Sequence, residues 1–169
     1  MLPSIKKILY ATDLSKNSAY AFRYAVKLAA LSDAKITILY TLPAMDAAMV
    51  VPTIVQLGDE RYDKLREEQS REMIQKIKEK LQEFTKEELK DDKEKIRHVS
   101  AILVHEGDPV DEILTTSDRL DSDMIILGAH GKGVLTHTFL GTVPDKVLRR
   151  SRKPVVIVPI PKDAIDIDL

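Results

Sequence analysis

A chain of 169 residues supplies one ordinary domain, enough to bury about 70% of the surface its unfolded form exposes. Its 26 Lys and Arg stand against 27 Asp and Glu, a net charge of -1. That balance argues against a general nucleic-acid or acidic-membrane binder, since both partners demand a basic face, and the absence of cysteine excludes disulfide scaffolds, zinc ribbons, iron–sulfur sites and thiol catalysis.

The opening MLPSIKKILYATDLS turns polar within a dozen residues, so no signal-peptide core is expected and a cytoplasmic location is. From there the apolar pattern alternates between short branched runs and longer helical ones. Residues 5–11 read as a first strand. Apolar residues at Ala19, Phe22, Val26, Ala29 and Ala30 then mark one face of a helix, and residues 35–41 a second strand. The apolar segment 42–58 carries two prolines and is too broken to span a membrane. It reads either as a lid or partner-facing loop, or as packing against its own domain.

Residues 59–95 hold 24 charged residues of 37, yet Tyr62, Leu65, Met73, Ile77, Leu81 and Phe84 keep a helical stripe. Glu60/Lys64, Glu67/Arg71 and Glu72/Lys76 are spaced to pair along one long helix with a solvated outer face. Residues 99–105 predict the third strand. In the helix that follows, Asp108 is the expected cap, Pro109 the first residue, and Val110, Ile113 and Leu114 the buried side. Asp111 and Glu112 suit the helix dipole and read as structural. Residues 123–128 and 154–159 predict strands four and five. Runs such as MIIL and VVIV suit strands covered on both faces, hence a single doubly wound α/β domain over residues 1–160, with a five-stranded parallel sheet, helices on both faces and an acidic tail at 161–169.

In such a sheet ligands gather at the carboxyl ends of the strands, where the winding reverses. The loops to inspect are therefore Ala11-Thr12-Asp13-Leu14-Ser15 after strand one and Gly128-Ala129-His130-Gly131-Lys132-Gly133 after strand four. Gly141-Thr142-Val143-Pro144-Asp145 reads as a helix start, with Thr142 as cap and Asp145 at capping-box spacing. An open helix N-terminus beside a glycine-rich loop is an anion site, with phosphate the natural occupant. Gly133 after Lys132 fails the Walker A pattern, and a loop after strand four fails the dinucleotide fingerprint.

What remains is Gly128, two residues, Gly131, nine residues, then Gly141-Thr142. With the opening KKILYATDLS, Gly107-Asp108-Pro109 and KPVVIVP, this order resembles the ATP-binding branch of the universal stress protein family over about residues 5–159. The resemblance implies a Rossmann-like fold and a homodimer formed through the last strand, Pro154 to Pro159. It implies that Asp13, with main chain near Ala11 and Thr41, holds the adenine and ribose end of ATP, with Thr12 in the same loop. Leu127 and Gly128 would line the nucleoside; His130, Gly131, Gly141, Thr142 and Val143 would surround the phosphates, with Lys132 nearby. Magnesium would enter with the nucleotide. Family members often carry proline where Ala11 stands and serine where Thr142 stands; Thr142 keeps the hydroxyl.

The function implied is a nucleotide-dependent stress or signalling protein, not an enzyme, since no catalytic base suggests itself. The alternatives are a slow ATP-hydrolysing or phosphate-transferring enzyme and a non-nucleotide interaction module working through 42–58 and the last strand. His98, His105, His130 and His137 lack metal-ligand spacing. The basic run Lys146, Arg149, Arg150, Arg152 and Lys153 suits a helix C-terminus.

Overall fold

Strand-forming runs and helical stretches alternate in the computed structural model as the sequence pattern predicts; it describes residues 3–43, 50, 54–56, 58–90, 92–130 and 140–161. The elements are β1 (Lys7–Thr12), α1 (Lys16–Ser32), β2 (Lys35–Leu42), α2 (Asp59–Leu89), α3 (Lys93–Ile96), β3 (Val99–Glu106), α4 (Pro109–Leu120), β4 (Met124–Gly128), α5 (Thr142–Arg150) and β5 (Val155–Val158). The strands pair in the order β3-β2-β1-β4-β5, and every pairing is parallel. Each predicted strand is present, shifted by at most two residues at an end. Most of the 42–58 segment and the tail from residue 162 lie outside the described residues.

Alternate residues of a strand point to opposite faces, so a sheet covered twice needs two cores. Ile8 and Tyr10 of β1, with Ile36 and Ile38 of β2, meet Phe22, Ala25 and Ala29 of α1 and Ile77, Leu81 and Leu89 of α2. On the other face Leu9, Ala11, Leu39, Ile125 and Leu127 meet Val110 and Ile113 of α4 and Val147 of α5. β5 closes one edge of the sheet and β3 the other.

The helix starts show which local signals decide. Asp108 caps α4 as its position suggests, accepting from the N–H groups of Val110 at 2.9 Å and Asp111 at 3.1 Å, with Pro109 in the first turn. Thr142, expected to cap α5, is instead its first residue. The flanking position belongs to Gly141, which has no side chain to cap the helix. The reason is space: a Cβ on Gly141 would lie 3.3 Å from the Ala129 carbonyl oxygen and 3.4 Å from Pro144 Cδ. The Asp145 carboxylate pairs with Arg149 at 3.0 Å rather than reaching back to form a capping box.

The long charged helix also differs from the single element predicted over 59–95. It stops at Leu89, where Lys90 turns left-handed with φ 50° and gives its N–H to the Glu87 and Lys86 carbonyls. Asp92 then opens the short α3. Along α2 the buried line is Ile77, Leu81, Thr85 and Leu89, at a strict spacing of four. Each such step advances about 40° around the helix, so the contact face drifts. Tyr62 is buried, whereas Leu65 and Met73 fall off the line and are 40% and 51% exposed. Glu67 and Arg71 do pair, at 3.0 Å on the solvated side. Among the described residues no helix is long and apolar enough to cross a membrane.

Candidate functional site

The winding reverses beside β1, which has β2 on one side and β4 on the other. Neighbouring strands there send their following helices to opposite faces, and a cleft opens at their carboxyl ends. It holds a pocket of about 430 Å³, within the range of small-molecule sites.

β1 delivers Ala11, Thr12 and Asp13 to the pocket, and a local hydrogen-bond network sets their positions. The Leu14 N–H donates to Thr12 Oγ1 at 3.0 Å and the Ser15 N–H to Asp13 Oδ1 at 3.0 Å. This Asx-type turn carries Leu14 at φ 60°, an uncommon conformation for a branched residue. Thr12 Oγ1 lies 2.9 Å from Ser18 Oγ, whose own hydroxyl donates to the Ser15 carbonyl at 2.9 Å. Beneath them the Tyr10 hydroxyl donates to the Ser18 carbonyl. Burial pushes the Tyr10 pKa above its ordinary value, so the phenol stays neutral and remains a donor. Ser15, not Asp13, caps α1, accepting from the Ser18 N–H. Asp13 therefore both closes the turn and faces the pocket.

β4 and α5 build the other end. The Ala129 N–H donates to the Val158 carbonyl at 2.9 Å, and the Gly141 N–H returns to the Ala129 carbonyl at 2.8 Å. A Cβ on Gly128 would sit 3.3 Å from the Asn17 backbone carbon and oxygen and from its Cγ, so the first turn of α1 presses directly on the end of β4. Helix α5 begins at the rim of the pocket. Within α5 the first N–H groups have no carbonyl to bind, and Pro144 has no N–H at all, which leaves Thr142 and Val143 as the donors of that turn.

Ten of the twelve site residues expected from sequence line this one pocket: Ala11, Thr12, Asp13, Thr41, Leu127, Gly128, His130, Gly141, Thr142 and Val143. Gly131 and Lys132 lie outside the described residues. Sequence reasoning missed Ser18, Leu39, Tyr40 and Pro43, and also Pro109, Ile113 and Pro144. Leu39 to Pro43 run through the end of β2, where Thr41 alone was singled out. Pro109 and Ile113 were read only as parts of a buried helix. Their signal was position, because α4 begins just after the carboxyl end of β3 and must overhang the same cleft.

The other polar features lie apart from the pocket lining. His98 is buried with Nδ1 2.8 Å from the Ala34 carbonyl oxygen. His105 Nδ1 meets Glu112 Oε2 at 2.9 Å, and His137 is outside the described residues. Much of the basic run is paired, Arg150 with Asp111 at 2.9 Å and Lys153 with Asp121 at 2.8 Å. The hydrogen bond from Lys153 holds Asp121 below the usual carboxylate value. No group of three or more His, Cys, Asp or Glu among the described residues is placed to hold a metal ion.

An open parallel α/β domain with a glycine-lined cleft at its switch point is the class that fold and site define. The sequence pattern of the universal stress protein family matches residues 4–159, and the chain belongs to that family. Universal stress protein MJ0577 of Methanocaldococcus jannaschii is 30% identical over 156 residues, covering 90% of this chain and 94% of that one. Universal stress protein YxiE of Bacillus subtilis is 30% identical over 154 residues, covering 90% and 97%. The solved structure of MJ0577 superposes with a TM-score of 0.72 at 24% identity, over 95% of this chain and 99% of that chain.

Proposed function

We propose that this protein binds an adenine nucleotide, ATP with magnesium carried in by it, and works as a nucleotide-dependent stress-response or signalling protein in the cytoplasm, where ATP is abundant. The observation that carries the reading is one of geometry. A carboxylate on Asp13, two close-packed glycines and the N-terminus of α5 converge on one pocket running from the β2 end past β1 to β4. The N–H groups of Thr142 and Val143 suit phosphate oxygens, and the helix dipole adds to their pull. Apolar walls at Leu39, Ile113 and Leu127 suit a base. Asp13 accepts from ribose hydroxyls or the adenine amino group. A universal stress protein solved in complex with cAMP shares the fold, at a TM-score of 0.55 and 23% identity over 93% of this chain and 98% of that one, which supports the choice of ligand class.

Thermal unfolding with and without Mg-ATP, with GTP as control, tests the proposal. A ligand at 100 times its dissociation constant stabilises by about 2.7 kcal/mol, and a domain of this size moves by roughly 2–4 °C per kcal/mol. The expected rise is about 5–10 °C with ATP alone. No shift in nucleotide-free protein would favour an interaction module instead.

The proposal is of a binding protein rather than an enzyme, and of a homodimer. β5 is an edge strand of four branched apolar residues, Val155–Val158, and such an edge is a template for pairing with another chain. Light scattering at micromolar concentration is expected to give twice the chain mass; a monomeric mass would remove the dimer from the proposal.

A further inference from the structure

We propose that Asn17 is the positioning residue that holds residues 128–130, at the end of β4, in phosphate-binding register; the inference rests on the nucleotide reading above. Asn17 is the second residue of α1 and only 7% exposed. Its Nδ2 donates to the His130 carbonyl at 2.8 Å, across 113 residues of sequence. Its backbone and Cγ also form the wall against which Gly128 packs. The Gly141 N–H binds the Ala129 carbonyl just before that latch, so residues 128–130 are held from α1 on one side and from the start of α5 on the other. Only the amide N–H2 group can face a carbonyl oxygen, which fixes the orientation of the side chain. Asn17 Oδ1 is thereby committed to the opposite direction, buried and with no hydrogen-bond partner among the described residues. A buried acceptor left open is uncommon. Phosphate oxygens are themselves acceptors and cannot complete it, so Asn17 does not bind the phosphates directly. It acts through the backbone of residues 128–130, which its side chain and main chain hold in place.

Two consequences separate this role from a merely structural one. Phosphate-bearing ligands depend on the latch and adenosine does not. Loss of the latch also loosens the loop locally rather than unfolding the domain. Asn17→Asp keeps the shape and turns the donor into an acceptor facing a carbonyl, while an acid in the first turn of a helix favours folding. Asn17→Ala removes the latch without adding charge, so a loss common to both variants is not repulsion between Asp and phosphate. Calorimetry with Mg-ATP and with adenosine is expected to show ATP affinity reduced about tenfold in both variants, which corresponds to about 1.4 kcal/mol, and adenosine affinity within about twofold of wild type. Amide hydrogen exchange in the ligand-free protein is expected to quicken about tenfold at Ala129 and Gly141 with β1 unchanged. Equal losses for both ligands, or unchanged ATP affinity in variants of a protein that binds ATP, would overturn the role of Asn17. Unchanged exchange at Ala129 and Gly141 would overturn it whatever the ligand. A wild-type protein that binds no nucleotide, while its variants still exchange faster at these two amides, would retain the latch and discard the nucleotide.

Discussion

Gly141→Val is expected to lower the affinity for Mg-ATP at least about 100-fold, measured by calorimetry on folded protein, because it acts where the chain packs closely beside the proposed phosphates. The backbone of Gly141, at φ -60° and ψ 158°, is open to any residue. Its need for glycine is one of space. The Ala129 carbonyl oxygen, Pro144 Cδ and His130 Cα would all lie within 3.5 Å of a Cβ, and valine adds two further carbons to an already tight contact. Relief comes only by moving α5 away from the β4 loop, which stretches the 2.8 Å bond from the Gly141 N–H to the Ala129 carbonyl and turns the N–H groups of Thr142 and Val143 off the ligand. A hundredfold is about 2.7 kcal/mol, close to what one or two hydrogen bonds to a charged group contribute. Overpacking itself costs about 1–3 kcal/mol of stability, so the variant is expected to fold. Gly141→Ala, with one carbon to place, is expected to lose far less. Full affinity in Gly141→Val would place the phosphates away from α5.

The sheet and its switch point were legible because they depend on local alternation. Branched runs such as MIIL and VVIV announce strands covered on both faces, and five of them separated by helices leave few topologies. Asp108 and Pro109 announced a helix start because cap and first residue are neighbours in sequence. Thr142 misled for the converse reason. Its hydroxyl makes it the better cap by type, but the close pass of Ala129 demands glycine one residue earlier, and that pass joins segments about a dozen residues apart. The end of α2 was hidden similarly. A charged sequence of high helix propensity runs on past Leu89, and what stops it is a left-handed turn at Lys90, a residue whose type does not announce one. Leu65 and Met73 kept a helical period, yet a period does not say how the buried face drifts around a long helix. Of the candidate site, the residues on glycine-marked or acid-marked loops were readable. Asn17 was not, because its partner His130 lies 113 residues away and nothing at either position announces the contact.

Phe22→Ala is expected to be among the most damaging single changes to stability and to leave nucleotide affinity nearly unchanged. Phe22 is fully buried, with ring centres 5.1 Å from Tyr10 and 5.3 Å from Phe84, so one side chain ties β1, α1 and α2 together. Truncating a phenylalanine in such a core costs about 3–5 kcal/mol, since the gap lies between a strand and two helices that cannot all collapse into it. At roughly 2–4 °C per kcal/mol, the melting temperature falls by about 6–20 °C. Phe22 does not line the pocket, but it anchors the helix whose first turn carries Asn17 and Ser18. Mg-ATP at 100 times the wild-type dissociation constant is then expected to return about 2.7 kcal/mol to variant and wild type alike. The two melting curves, with and without nucleotide, are therefore expected to shift by similar free energies. A much smaller ATP-induced stabilisation in the variant, at the same ATP concentration, would mean that the cavity reaches the site through α1 and that core packing and nucleotide affinity are coupled in this fold.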